Sequence, residues 1–176
     1  RMADNEEKTC PFLSEKGCTV YPDRPDTCRT FPVEHGMLFK DRPEAAEIVS
    51  FFRPPDFCQG QHEDQALTPV QWADDQEARV YNRMARRWAG IKALFDQDPW
   101  QGQGPYGAKA KMAFMATYNV DQFREFVFKS SFLKRYKVKA ALLKKMRTDD
   151  LTMLRLGFDW VKLFVWGMPS KKIRKR

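Results

Sequence analysis

Long apolar runs are missing from this 176-residue chain, because Lys, Arg or Asp interrupts every candidate before the ~18 residues that a membrane-spanning helix takes. Nor does any stretch combine a basic start, an apolar middle and a small-residue cleavage site, so the expected compartment is the reducing cytoplasm. Histidine is scarce, with only His35 and His62. A cysteine nucleophile wants a histidine in its company, and neither His35 nor His62 sits in a recognisable catalytic constellation. His62 follows Cys58 by four residues, as a replacement ligand would, although a lone His in a Gln- and Asp-rich loop is more often simply solvated. Cysteine itself is absent from the 118 residues after Cys58.

The four thiols that do exist, Cys10, Cys18, Cys28 and Cys58, therefore crowd into the first third of the chain. Around them Pro11, Pro22, Pro25, Pro32, Pro43, Pro54 and Pro55 recur too often for long helices. Residues 1–67 read as an irregular, loop-rich segment, with short strands expected around Thr19–Tyr21 and Glu47–Phe52. Such a segment holds few periodic apolar positions, and its thiols are the candidates for what shapes it.

Three chemistries compete for them. A soft divalent ion or an iron–sulfur cluster needs thiolates converging from separate loops, and the prolines and Gly17 supply sharp turns. A disulfide framework allows three pairings. Unrelated buried thiols would behave as small apolar side chains, which leaves their clustering unexplained. Arg29, next to Cys28, favours a thiolate and so serves a metal and a nucleophile equally.

Beyond residue 67 the pattern changes. Thr68-Pro69-Val70-Gln71 supplies an N-cap hydroxyl, a proline at the first helical position and a Gln three residues after the cap. Tyr81, Met84, Trp88, Ile91 and Phe95 then recur at helical steps, which predicts one helix over roughly 69–96. Gly102, Gly104 and Pro105 interrupt it, and further helices are predicted at about 106–117, 120–129, 131–146 and 149–166. The last is apolar on nearly every side. Burial is therefore the preferred reading of Trp160, Phe164 and Trp166 over a membrane-surface anchor. The expected organisation is a mainly α protein: a cysteine-rich metal-binding segment (1–67) packed on a C-terminal helical bundle (68–167), with a basic, mobile tail (168–176).

Charge divides along the same line. Residues 1–104 carry 13 Lys+Arg against 18 Asp+Glu, and residues 105–176 carry 18 against 5, so balances of −5 and +13 make the total of +8. The basic portion suits an acidic partner, whether nucleic acid, an anionic membrane surface or an acidic protein, and equally a plain solvated surface.

The stretch "CPFLSEKGCTVYPDRPDTCRTFP" resembles the YkgJ-type cysteine-cluster family of zinc- or iron-chelating proteins. The likeness is carried by Cys10, Phe12, Leu13, Cys18, Val20, Tyr21, Arg24, Pro25, Cys28, Arg29, Phe31, Pro32 and, after an insert, Cys58, and covers roughly residues 8–62. It implies that the four cysteines ligate a metal ion or cluster and that the Arg-Pro and Cys-Arg-x-Phe-Pro elements orient them. Family members carry a further cysteine group upstream, of the Cys-x-x-Cys and Cys-Cys type, so the implied ligand set is either these four thiols or these four completed by thiols preceding Arg1. Iron–sulfur is favoured slightly over zinc, since isolated ligands on irregular loops are less typical of structural zinc than knuckles are. Flagellin lysine methylase, which depends on an iron–sulfur cluster, has a similar cysteine pattern. That likeness raises the alternative of an enzyme modifying protein or nucleic acid, although no glycine-rich loop between a strand and a helix is present to hold a methyl-donor nucleotide.

Overall fold

Side-chain caps decide where three of the described helices begin. In the computed structural model, residues 9–39, 47–96, 99–100 and 102–176 are described, and Pro43 and Arg1–Lys8 lie outside them. The Thr68 hydroxyl accepts from the Gln71 N–H while the Gln71 side chain accepts from the Thr68 N–H at 2.8 Å, a reciprocal capping box that opens α2 (Pro69–Asp75). Asn119 caps α5 (Val120–Lys129) through the Gln122 N–H, and Asp149 caps α8 (Asp150–Trp166) through the Thr152 N–H. Gly167, at φ 67°, closes α8 in the left-handed conformation that glycine tolerates best.

Two predicted helices are broken. The span 69–96 divides into α2 and α3 (Arg79–Lys92) with a 3-10 turn after it, because Glu77 sits at φ 52° and the chain turns at Gln76–Ala78. The span 131–146 divides into short pieces: one helix at Phe132–Arg135, a two-residue strand at Tyr136–Lys137, and a second helix at Ala140–Met146. In the first third, the strand pair Leu13–Ser14 with Gly17–Cys18 replaces the strand expected at Thr19–Tyr21. Glu47–Phe52 is a strand as expected, paired antiparallel with Val33–Leu38, from Val33↔Phe52 to Leu38↔Glu47.

In chain order the labelled elements are β1 (Leu13–Ser14), β2 (Gly17–Cys18), α1 (Asp26–Thr30), β3 (Val33–Leu38), β4 (Glu47–Phe52), α2, α3, α4 (Ala108–Tyr118), α5, α6 (Phe132–Arg135), β5 (Tyr136–Lys137), α7 (Ala140–Met146), α8 and β6 (Arg174–Lys175). The protein is mainly α, with three two-stranded sheets among the described residues. None of the described helices is long and apolar enough to cross a membrane.

Two compact units divide the chain at Arg87/Trp88. The second is built around α8, which packs on α4, α5 and α7. Phe123, Val127, Phe132, Met146, Met153, Leu156 and Val161 are sealed from solvent there. Ala110, Ala113 and Ala116 form the buried face of α4, and a Cβ added at Gly157 would overlap the Ala116 carbonyl oxygen. Small residues on both helices therefore let their backbones approach closely. Trp160 is 3% exposed and rings with Phe126, Phe132, Tyr136 and Phe164, as its reading as core expects, whereas Phe164 is exposed and Trp166 half-buried, so burial does not extend to all three.

The C-terminal residues, expected as a mobile tail, fold back on the second unit. β6 pairs with β5, Ile173 is 2% exposed, and the Lys172 ammonium donates to Asp159 at 2.5 Å. One apolar side chain and one ion pair anchor an otherwise cationic segment.

Candidate metal centre

Each cysteine stands on a different short element of the first unit. Cys10 precedes the turn into β1, its carbonyl accepting from the Leu13 N–H at 3.1 Å. Cys18 ends β2 opposite Leu13, after Gly17 turns the hairpin at φ 98°. That positive φ is where glycine is needed. The hairpin is held further by Thr19, whose N–H and hydroxyl both donate to the Phe12 carbonyl, at 2.8 and 3.0 Å. Cys28 lies in α1, and Cys58 leads into the 3-10 turn Gln59–His62. All four thiols are free; Cys10, Cys18 and Cys28 are exposed and Cys58 is half-buried.

What holds α1 is an arginine. Arg29 is 6% exposed and is the one buried ionic side chain among the described residues. Its guanidinium donates to the Arg24 carbonyl at 3.2 Å, to the Gln76 carbonyl at 3.2 Å and to the Pro22 carbonyl. It also lies over the Tyr81 ring at 4.7 Å and within 3.8 Å of the Glu77 carboxylate. A planar, multi-donor cation can serve three carbonyls at once where lysine could not. Arg24 stacks over Tyr21 at 4.0 Å and donates to the Gln76 side chain at 2.6 Å. Trp72 completes the frame, its indole N–H donating to the Thr30 carbonyl at 2.8 Å.

The turn between α2 and α3 is thus explained by tertiary structure. Ending α2 at Asp75 frees the Gln76 carbonyl for Arg29, a bond that a continuous helix would have used internally. Sequence reasoning placed Arg24 and Arg29 in a frame but missed Gln76, Glu77 and Tyr81 as their partners, and Trp72 as the partner of Thr30. Only the tryptophan and the polar run Asp74-Asp75-Gln76-Glu77 hinted at them.

Behind Cys28, burial pushes the Asp26 carboxyl up, against the attraction of His35 and Arg29. Asp26 Oδ1, His35 Nε2 and Arg24 Nε are all buried without a hydrogen-bond partner, a cost that native structures carry in few places. His35 Nδ1 meets the Ser50 hydroxyl at 3.2 Å across β3 and β4.

As donors, four free thiols suit zinc or an iron–sulfur cluster. Among the described residues, however, no three His, Cys, Asp or Glu side chains are grouped closely enough to hold a metal ion. The fit is therefore one of donor chemistry: the structure does not gather the four thiols at one point, and of them Cys28 lies in the helix that Arg29 holds.

Free thiols on short turns beside a buried arginine frame are the makings of a metal-chelating, cysteine-rich segment. Residues 1–63 match the family model CxxCxxCC, described as "Putative zinc- or iron-chelating domain", which bears out the YkgJ-type resemblance over that portion. No curated protein and no solved structure matches the chain.

Proposed function

We propose that Cys10, Cys18, Cys28 and Cys58 ligate one metal centre, in a structural or redox role, and that residues 105–176 dock an acidic partner. The observation that carries the first part is the family match over residues 1–63, and four free thiols on separate short elements support it. The Arg29 frame fixes α1, and with it Cys28, before any metal arrives, while the β1–β2 hairpin and the Cys58 turn close around the ion. Binding is then coupled to ordering of these loops, with an apparent contribution on the order of 10 kcal/mol if it behaves as structural zinc sites do. Iron–sulfur remains favoured over zinc for ligands this dispersed, and a reducing cytoplasm is where such thiols stay free.

Metal analysis and visible absorbance of anaerobically purified protein test this reading. One metal centre per chain, lost on Cys28→Ser, is expected. Colourless, metal-free and well-folded protein overturns it.

A further inference from the structure

Residues 105–176 contain five acidic side chains, and every one is in an ion pair: Asp121 and Asp150 with Arg124, Glu125 with Lys129, Asp149 with Lys145 and Asp159 with Lys172. None of these pairs reaches the small ribbon of β5 and β6. There Lys137 stands directly opposite Arg174 in register, and both are exposed. Like charges directly across an antiparallel pair oppose strand pairing. Lys175 faces Tyr136 in the next register position, and Lys134, Arg135 and Lys139 crowd the ends of the helices on either side, all exposed.

The ribbon nevertheless holds its shape. Val138 and Ile173 are buried beside it, Tyr136 packs on Phe132 at 5.2 Å and on Trp160 at 5.1 Å, and the Arg176 N–H donates to the Arg135 carbonyl at 2.9 Å. Apolar anchors thus hold the backbone that carries a mutually repelling array of cations, so only the exposed side chains remain to be ordered when an anion binds.

We propose that the β5–β6 ribbon, with Lys134, Arg135 and Lys139 beside it, is a binding surface for the phosphate backbone of nucleic acid. Closely spaced cations, none of them a member of the ion pairs above, match a polymer carrying regularly spaced negative charges, and phosphate contacts are where such affinity resides. A membrane surface is the weaker fit. Insertion between lipid headgroups needs a broad exposed apolar side, whereas Phe132 and Trp160, against which Tyr136 packs, are buried, and of the rings around Trp160 only Phe164 is exposed. The proposal gives a chemical class to the acidic partner named above and rests on that part of the reading; it does not depend on the metal.

The test is fluorescence anisotropy of the full chain with a labelled single-stranded RNA and with a labelled DNA duplex, over a range of salt. Contact with about six phosphates on a single strand predicts a slope of about −4 for log K against log salt. Lys137→Glu combined with Lys175→Glu should weaken binding about tenfold or more at low salt and flatten the slope by about 1.4. Lys137→Glu alone places opposite charges across the ribbon, so its melting temperature should hold or rise, which separates lost binding from lost folding. Lys92→Glu, outside the ribbon, should leave affinity unchanged. Equal loss in Lys92→Glu, no salt-dependent binding to either nucleic acid, or flotation with phosphatidylserine vesicles without nucleic-acid binding would each overturn the proposal. Repeating the titration after chelation distinguishes the two readings: nucleic-acid binding persists without metal, and metal content is measured separately.

Discussion

The two units of this chain keep their shape by different means. In the second, α8 lies among α4, α5 and α7, and Phe123, Val127, Met146, Met153, Leu156 and Val161 are fully buried. In the first, Phe12, Leu13, Tyr21, Phe31, Phe51, Phe52 and Phe57 are all more than 40% exposed, and Ala73, Ala78 and Met84 are its buried apolar side chains among the described residues. What orders α1 there is the hydrogen-bonding reach of one guanidinium. Apolar burial stabilises a unit in proportion to area, whereas a polar frame stabilises only what its donors touch. The unit with the weaker core is the one that carries the thiols.

Stripping the metal should separate the units most sharply. Removal of the proposed metal should take on the order of 10 kcal/mol of ordering from the first unit alone. Hydrogen exchange should then rise across residues 9–62 while α8 stays protected; uniform exchange in both would end the contrast. Next in size is Phe123→Ala, which empties a sealed position and should cost about 3–5 kcal/mol in the second unit. Chemical denaturation should register that loss with metal content per chain unchanged.

Arg29→Met should cost about 2–3 kcal/mol in the first unit, because three backbone carbonyls lose a charged donor. Arg29→Lys should fail to restore it, since one ammonium cannot span the three acceptors; full rescue by lysine would show that charge alone matters. Both variants can be read by protease sensitivity at the β1–β2 hairpin.

The smallest effect is acid sensitivity of α8. The Thr152 N–H, and then Lys145, hold the Asp149 carboxyl below the usual carboxylate range. Its folded pKa is depressed, so its contribution is complete above the ordinary carboxylate value and is lost as pH falls through the lowered one. Asp149→Asn should flatten that acid limb of the melting-temperature profile and leave neutral pH little changed.

Helix starts were legible in the sequence because their causes are local. The Thr68–Gln71 box, the Asn119 cap and the Gly167 stop each act within a few residues, and so does the Asp149 cap, which the structure adds. The breaks were not. At Gln76–Ala78 the chain leaves the helix where Arg29, 47 residues earlier, takes the Gln76 carbonyl. At Tyr136–Lys137 a helical pattern gives way to a strand because Arg174 and Lys175 come back to pair with it. The cysteine motif was readable as a pattern, and Arg29 as part of it, but not the burial of that arginine.

The sequence by itself determined the mainly α character of the chain, the irregular cysteine segment and the excess of cations in residues 105–176, since composition, periodicity and capping are properties of neighbouring residues. Tertiary structure alone decided that Arg29 is sealed inside a frame of carbonyls and that the basic C-terminal residues form a fixed ribbon. Both depend on partners dozens of residues away, and a chain's local preferences carry no record of which distant group will arrive to accept a hydrogen bond or complete a strand pair.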